Sequence, residues 1–108
     1  MSTSINIESL RVAVGQGHIE WQRHSLERMV EREISREAVI QTILQGERIE
    51  DYPGDRPLAS ALFFGLTGIR PIHAVIAFNP ELQKAFVITV YVPDLDHFEP
   101  DFKTRRKP

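Results

Sequence analysis

The spacing of the apolar residues changes at Gly46, and this change constrains the fold more than any other feature. Before Gly46 they recur at helical intervals. Leu26, Met29 and Val30 stand at i, i+3 and i+4, and Val39, Ile40, Ile43 and Leu44 form a second stripe. After Gly46 the apolar runs are short and rich in β-branched and aromatic residues, as strands require. Helices followed by strands, with connections too short for parallel crossovers, predict an α+β domain. Its N-terminal helices should pack on an antiparallel sheet of about four strands.

Local signals place the elements. Ser4 to Val14 reads as an opening helix with Leu10, Ala13 and Val14 on one face, ended by Gly15 and Gly17. His18-Ile19-Glu20-Trp21 alternates as a short strand. A helix follows over Arg23 to Arg32. Ser35 is placed as the N-cap of the next one, with Ile34 and Val39 at staple positions and Gly46 as its stop. Arg48 to Tyr52 reads as a strand, and Pro53-Gly54-Asp55-Arg56-Pro57 as a turn. Leu58 to Leu66 is a further strand. Ile72 to Phe78 and Ala85 to Val92 form an antiparallel hairpin.

With 108 residues, of which 42% are hydrophobic, the chain makes one domain with one core. The compact part should run from about 4 to 98. Residues 99–108 form a basic tail, partly disordered, with Phe98 and Phe102 pinning part of it. The absence of cysteine excludes disulfides, thiolate metal sites and a cysteine nucleophile. The first residues show no basic region followed by an apolar core, and no run approaches membrane-spanning length, so a cytoplasmic location is expected. The net charge of −2 supplies no general attraction for nucleic-acid phosphates.

Two faces carry candidate chemistry. At about 100° per residue, His24, Arg28 and Arg32 fall within roughly 80° of helical arc, nearly opposite Leu26, Met29 and Val30. A solvated surface explains such a face equally well. However, Arg28 and Arg32 are like charges at i, i+4, which stability alone disfavours and an anionic ligand would reward. Strand alternation places Ile72, Ala74, Ile76 and Phe78 on the core face, with Phe86, Ile88, Val90 and Val92 beside them. It leaves His73, Thr89 and Tyr91 together on the other face. A half-exposed sheet surface is again the plain alternative.

The run His24-x-x-x-Arg28-Met29-x-x-Arg32 resembles the signature of the DUF4258 family. So do Gly46-Glu47, Asp51-Tyr52-Pro53 with Asp55-Arg56-Pro57, Pro71-x-His73, and Ile88-Thr89-Val90-Tyr91 with Pro93-Asp94. The resemblance covers roughly residues 18 to 106. That family is regarded as similar to RelE-type toxins and the barnase–EndoU–colicin–RelE ribonucleases. The similarity implies a RelE-like fold and metal-independent cleavage of RNA, with no cofactor. It also implies catalytic positions at His24, Arg28, His73, Thr89 and Tyr91, and substrate contacts from Arg32, Tyr52 and Arg56. An antitoxin-like protein is the partner such a toxin would have. The chain departs from the toxins in charge, since they are strongly basic. The alternative is a non-catalytic module in which the cationic helix face binds an anion or an acidic segment. In that reading the strand Leu58 to Leu66 offers an edge for another chain or a homodimer. The four histidines, His18, His24, His73 and His97, show no metal-ligand spacing, so no metal is expected.

Overall fold

The computed structural model describes residues 3–107. Helices α1 (Ile7–Gly15), α2 (Arg23–Glu31) and α3 (Arg36–Gln45) precede most of the sheet. Its strands are β1 (Ile19–Trp21), β2 (Glu47–Tyr52), β3 (Ser60–Thr67), β4 (Arg70–Asn79) and β5 (Lys84–Tyr91). The starts of α1 and α3 follow from their caps. The Asn6 side chain accepts from the Ser9 amide, and the Ser35 hydroxyl accepts from the Ala38 amide. The opening helix therefore begins at Ile7, three residues later than its apolar stripe suggested.

The sheet has five strands in the order β1-β5-β4-β3-β2, and β1 runs parallel to β5. This corrects the expected four-stranded antiparallel sheet. Short connections force antiparallel pairing only between consecutive strands. β1 and β5 are separated by the rest of the domain, so their direction was free. The remaining pairs are antiparallel, as the meander requires.

All three helices cover one face. Leu10, Ala13, Val14, Met29, Val39 and Ile43 meet Ala61, Phe63, Ile72, Ala74, Ile76, Phe78, Val87 and Val90 in one core. α3 lies very close to β3. A Cβ added at Gly65 would fall 2.5 Å from Thr42 Oγ1 and 3.0 Å from Thr42 Cα, so only glycine permits this approach. α2 ends in a Schellman motif. The Ile34 amide donates to the Met29 carbonyl (2.9 Å) and the Glu33 amide to the Val30 carbonyl (3.2 Å), with Glu33 at φ 55°.

The opposite face of the sheet is where the site lies. Residues 93–107 fold back across part of it, and the loop 53–59 borders another part. The tail is thus tied to the sheet as far as Arg105. Pro108, in the stretch expected to be disordered, is outside the described residues.

Candidate functional site

The site depends on a β-bulge. β4 and β5 pair Val75 with Thr89 and then Ile76 with Val87, so Ile88 is an extra residue. Strict alternation placed Phe86 and Ile88 in the core. Instead Val87 and Ala85 take the core positions, and Phe86 turns to the opposite face beside Ala77. The expected pairing holds on the other side of the bulge, where His73 stands opposite Tyr91.

The bulge leaves carbonyls on the outer edge of β5 above β1. α2 lies along that edge and supplies donors. The fully buried Ser25 hydroxyl donates to the carbonyls of Ile88 (2.8 Å) and Val87 (3.2 Å). Arg32 Nη1 donates to the Val90 carbonyl at 2.6 Å. Arg32 therefore fastens the helix to the sheet, and this engagement accounts for its like-charge spacing with Arg28. The C-terminus of α2 is held in turn by Arg70, whose guanidinium donates to the carbonyls of Arg32 and Glu33.

The positions of these contacts fix where the other α2 residues point. Going round the helix, Leu26 and Met29 enter the core, Ser25 and Arg32 meet the β5 edge, and Arg28 and His24 come next. His24 and Arg28 thus occupy the flank beyond the edge, on the side away from the core. Both are exposed, and neither side chain has a hydrogen bond or ion pair among the described residues. Gln22 is the N-cap residue of α2, and its side chain makes no cap bond.

Gln22 also lines a cleft of about 370 Å³ on the open sheet face. Ala77, Phe86 and Ile88 form its floor, and Pro57 and Leu58 line it on the loop side. Glu20, Asp55, Arg56 and Ser60 supply its polar groups. Asp55 accepts from the Ser60 hydroxyl at 2.5 Å, and Arg56 donates to the carbonyls of Gly54 and Asp55, so the loop holds its own shape. Arg56 was expected from the sequence. Phe86 and Ile88 were not, because only the bulge turns them to this face; nor were Gln22, the N-cap of α2, and Ser25, the donor to the bulge carbonyls.

Farther along the same face lies a polar cluster beneath the tail. His73 is fully buried, with Phe98 at 4.6 Å and Tyr91 at 5.2 Å between ring centroids. Its Nε2 lies 2.6 Å from the Phe102 carbonyl, and its Nδ1 lies 3.2 Å from the Tyr91 hydroxyl. A carbonyl only accepts, so Nε2 carries the proton and the Tyr91 hydroxyl donates to Nδ1. Burial lowers the pKa of His73 and raises that of Tyr91. A second bulge, at Ile49 in β2, brings Glu47, Glu50 and Tyr52 to this face opposite Phe64, Leu62 and Ser60. The Tyr52 hydroxyl donates to Glu50, which also pairs with Arg105 at 2.8 Å. Burial works to raise the pKa of Glu50, but the bonds from Tyr52 and Arg105 outweigh it and the net shift is downward. Burial, and then the bond to Glu50, raises that of Tyr52.

The expected site residues therefore fall into separate groups. His73, Tyr91 and Tyr52 lie on the tail-covered sheet face, with the half-buried Thr89 opposite Val75 on β5. Arg56 lies at the cleft, His24 and Arg28 on the exposed helix flank, and Arg32 at the edge. The closed tail leaves His73 out of solvent. Among the described residues, no three His, Asp or Glu side chains gather as metal ligands.

A family model for "Domain of unknown function (DUF4258)" matches residues 21–92, two thirds of the chain. The chain belongs to this family. The DUF4258 match begins at Trp21, includes both bulges and the α2 residues His24, Ser25, Arg28 and Arg32, and stops one residue before the tail begins at Pro93. The search of curated proteins gave no match, and neither did the search of solved structures.

Proposed function

We propose that this DUF4258 domain is a RelE-like, metal-independent RNA-cleaving phosphodiesterase of the cytoplasm. Its site is the groove along β5 between α2 and the loop 53–59. The observation that carries this reading is the pair His24 and Arg28, exposed and without a partner among the described residues, on a helix whose N-cap residue Gln22 lines the cleft. Phe86 and Ile88 offer an apolar floor for a base. Arg28 and Arg56 offer guanidinium groups for phosphate oxygens.

In this reading His24 takes the proton of a ribose 2′-hydroxyl, whose oxygen attacks the adjacent phosphorus. The bond to the 5′-oxygen breaks, leaving a cyclic phosphate. Arg28 stabilises the charge that grows on the phosphoryl oxygens. The leaving oxygen takes its proton from a second acid or from water. The test is cleavage of RNA by the purified full chain in the presence of a chelator. All-deoxy substrate should be spared, and His24→Ala should lower the rate by about 10²–10⁴. Full activity in His24→Ala removes that residue from the chemistry, and no cleavage of any RNA by the wild-type chain overturns the reading.

A second reading is favoured by the sealing of His73. The domain would bind an anion, an antitoxin-like partner or a second copy through the same α2 flank without turnover. Arg28→Ala would then weaken binding while no RNA is cut.

A further inference from the structure

We propose that residues 93–107 form a hinged strap that opens as a unit at Pro93 and gates access to His73 and Tyr91. The strap satisfies its backbone from within. The Arg106 amide donates to the His97 carbonyl (2.9 Å), Glu99 to Thr104 (2.8 Å) and Phe102 to Glu99 (2.8 Å). The Asp94 carboxylate receives the amides of Asp96 and His97, and that of Asp101 receives those of Lys103 and Thr104. A segment that keeps its own bonds loses few of them when it lifts.

Its ties to the sheet are few, and all involve side chains. Phe102 offers its carbonyl to His73, Lys103 pairs with Glu47 at 3.3 Å, and Arg105 pairs with Glu50 at 2.8 Å. Both ion pairs reach solvent and are therefore screened by salt. Beyond the buried Pro93 at its hinge, Phe98 is the strap's buried apolar anchor. Phe102, whose carbonyl caps His73, sits at φ 56°, a left-handed conformation costly for a bulky residue. The strap also lies outside the stretch that matches the family, whereas His73 and Tyr91 lie inside it.

Opening frees the Nε2–H of His73 and joins its surroundings to the face that carries the cleft. Under the proposed phosphodiesterase reading, on which this functional consequence rests, it also exposes a second imidazole able to transfer protons. The gate itself does not depend on turnover.

Diethyl pyrocarbonate labelling of the full chain, read by mass spectrometry, tests it directly. His18, His24 and His97 are exposed and serve as internal references. His73 should label about a hundredfold more slowly than His24, through local opening. In Lys103→Gln/Arg105→Gln it should label about fivefold to tenfold faster, from two exposed ion pairs each contributing a factor of up to about five. The references should not change. A short bismaleimide bridge between Glu47→Cys and Lys103→Cys, in a chain with no other cysteine, should suppress His73 labelling selectively. Equal His73 rates in wild type and double variant, labelling that follows only global unfolding in denaturant, or undiminished labelling in the bridged chain would each overturn the gate. Assaying RNA cleavage by the same variants separates the two ideas. A strap that opens on a protein that never cuts RNA upholds the gate and removes the phosphodiesterase.

Discussion

Replacing Ser25 with alanine tests whether α2 maintains the bulge that forms the cleft floor. The hydroxyl is buried, and its single proton is shared between the carbonyls of Ile88 and Val87, at 2.8 and 3.2 Å. The substitution removes that donor and leaves the acceptors facing an apolar methyl group. Leaving a buried acceptor unpaired costs about 1–3 kcal/mol, and removing the buried hydroxyl itself returns part of that. A net loss of about 1.5 kcal/mol is expected. With an unfolding entropy of about 2.1 cal/mol/K per residue, this lowers the Tm of a chain this size by about 7 °C. Urea unfolding should show a lower midpoint with an unchanged slope. The bulge gives a second signature. If Ser25 fixes it, cross-strand proton contacts between Ile76 and Val87 should weaken in the variant, while those between His73 and Tyr91 persist. A loss below about 0.3 kcal/mol, within the range of neutral surface changes, together with intact Ile76–Val87 contacts, would refute this role for Ser25.

Two further perturbations follow from the same geometry. Burial holds the His73 pKa below its ordinary value near 6.5, so the folded chain binds fewer protons than the unfolded one. The His73 share of stability is complete above about pH 6.5 and is lost as pH falls through the folded value, with a slope of up to about 1.4 kcal/mol per pH unit. Urea midpoints measured at neutral and mildly acidic pH should converge in His73→Phe; equal pH dependence in the two proteins would remove His73 as the source. Gly65→Ala should cost about 1–3 kcal/mol by forcing α3 away from β3, because the new methyl group meets the Thr42 backbone as well as its hydroxyl. An unchanged urea midpoint in that variant would show that the contact yields freely.

Much of the fold was legible because helices and strands write different periods into the sequence. The change at Gly46, the Ser35 cap and the hairpin around Asn79–Lys84 all correspond to observed elements. The two bulges were not legible, and they decide the site. Ile88 sits inside the β-branched and aromatic run from Ala85 to Val92, with no glycine or proline to mark an irregularity. Alternation read through that run gives the right face for Tyr91 and the wrong one for Phe86 and Ile88. Ile49 has the same effect in β2, bringing both Glu47 and Glu50 to the tail side. The clue was on another element, where a serine stands next to the buried stripe of α2. A buried hydroxyl needs an acceptor, and the carbonyls displaced by a bulge are such acceptors.

The same requirement changes what the charged helix face signifies. Like charges at Arg28 and Arg32 suggested a shared anion, yet Arg32 has already found its acceptor in the Val90 carbonyl. Arg28 has none among the described residues, and His24 beside it has none. Ser25 and Arg32 spend their donors fixing α2 on the part of β5 that runs past β1, where carbonyls would otherwise stand open to another chain. That fixation sets the direction of the two residues left over. The signature on α2 therefore combines two tasks at helical spacing: Ser25, Met29 and Arg32 attach the helix, and His24 and Arg28 project from it. A variant set that separates them should show two phenotypes. Ser25 and Arg32 changes should lower stability and disturb the bulge, whereas His24 and Arg28 changes should leave the urea midpoint within about 0.5 kcal/mol of wild type and alter only what the groove binds or cleaves.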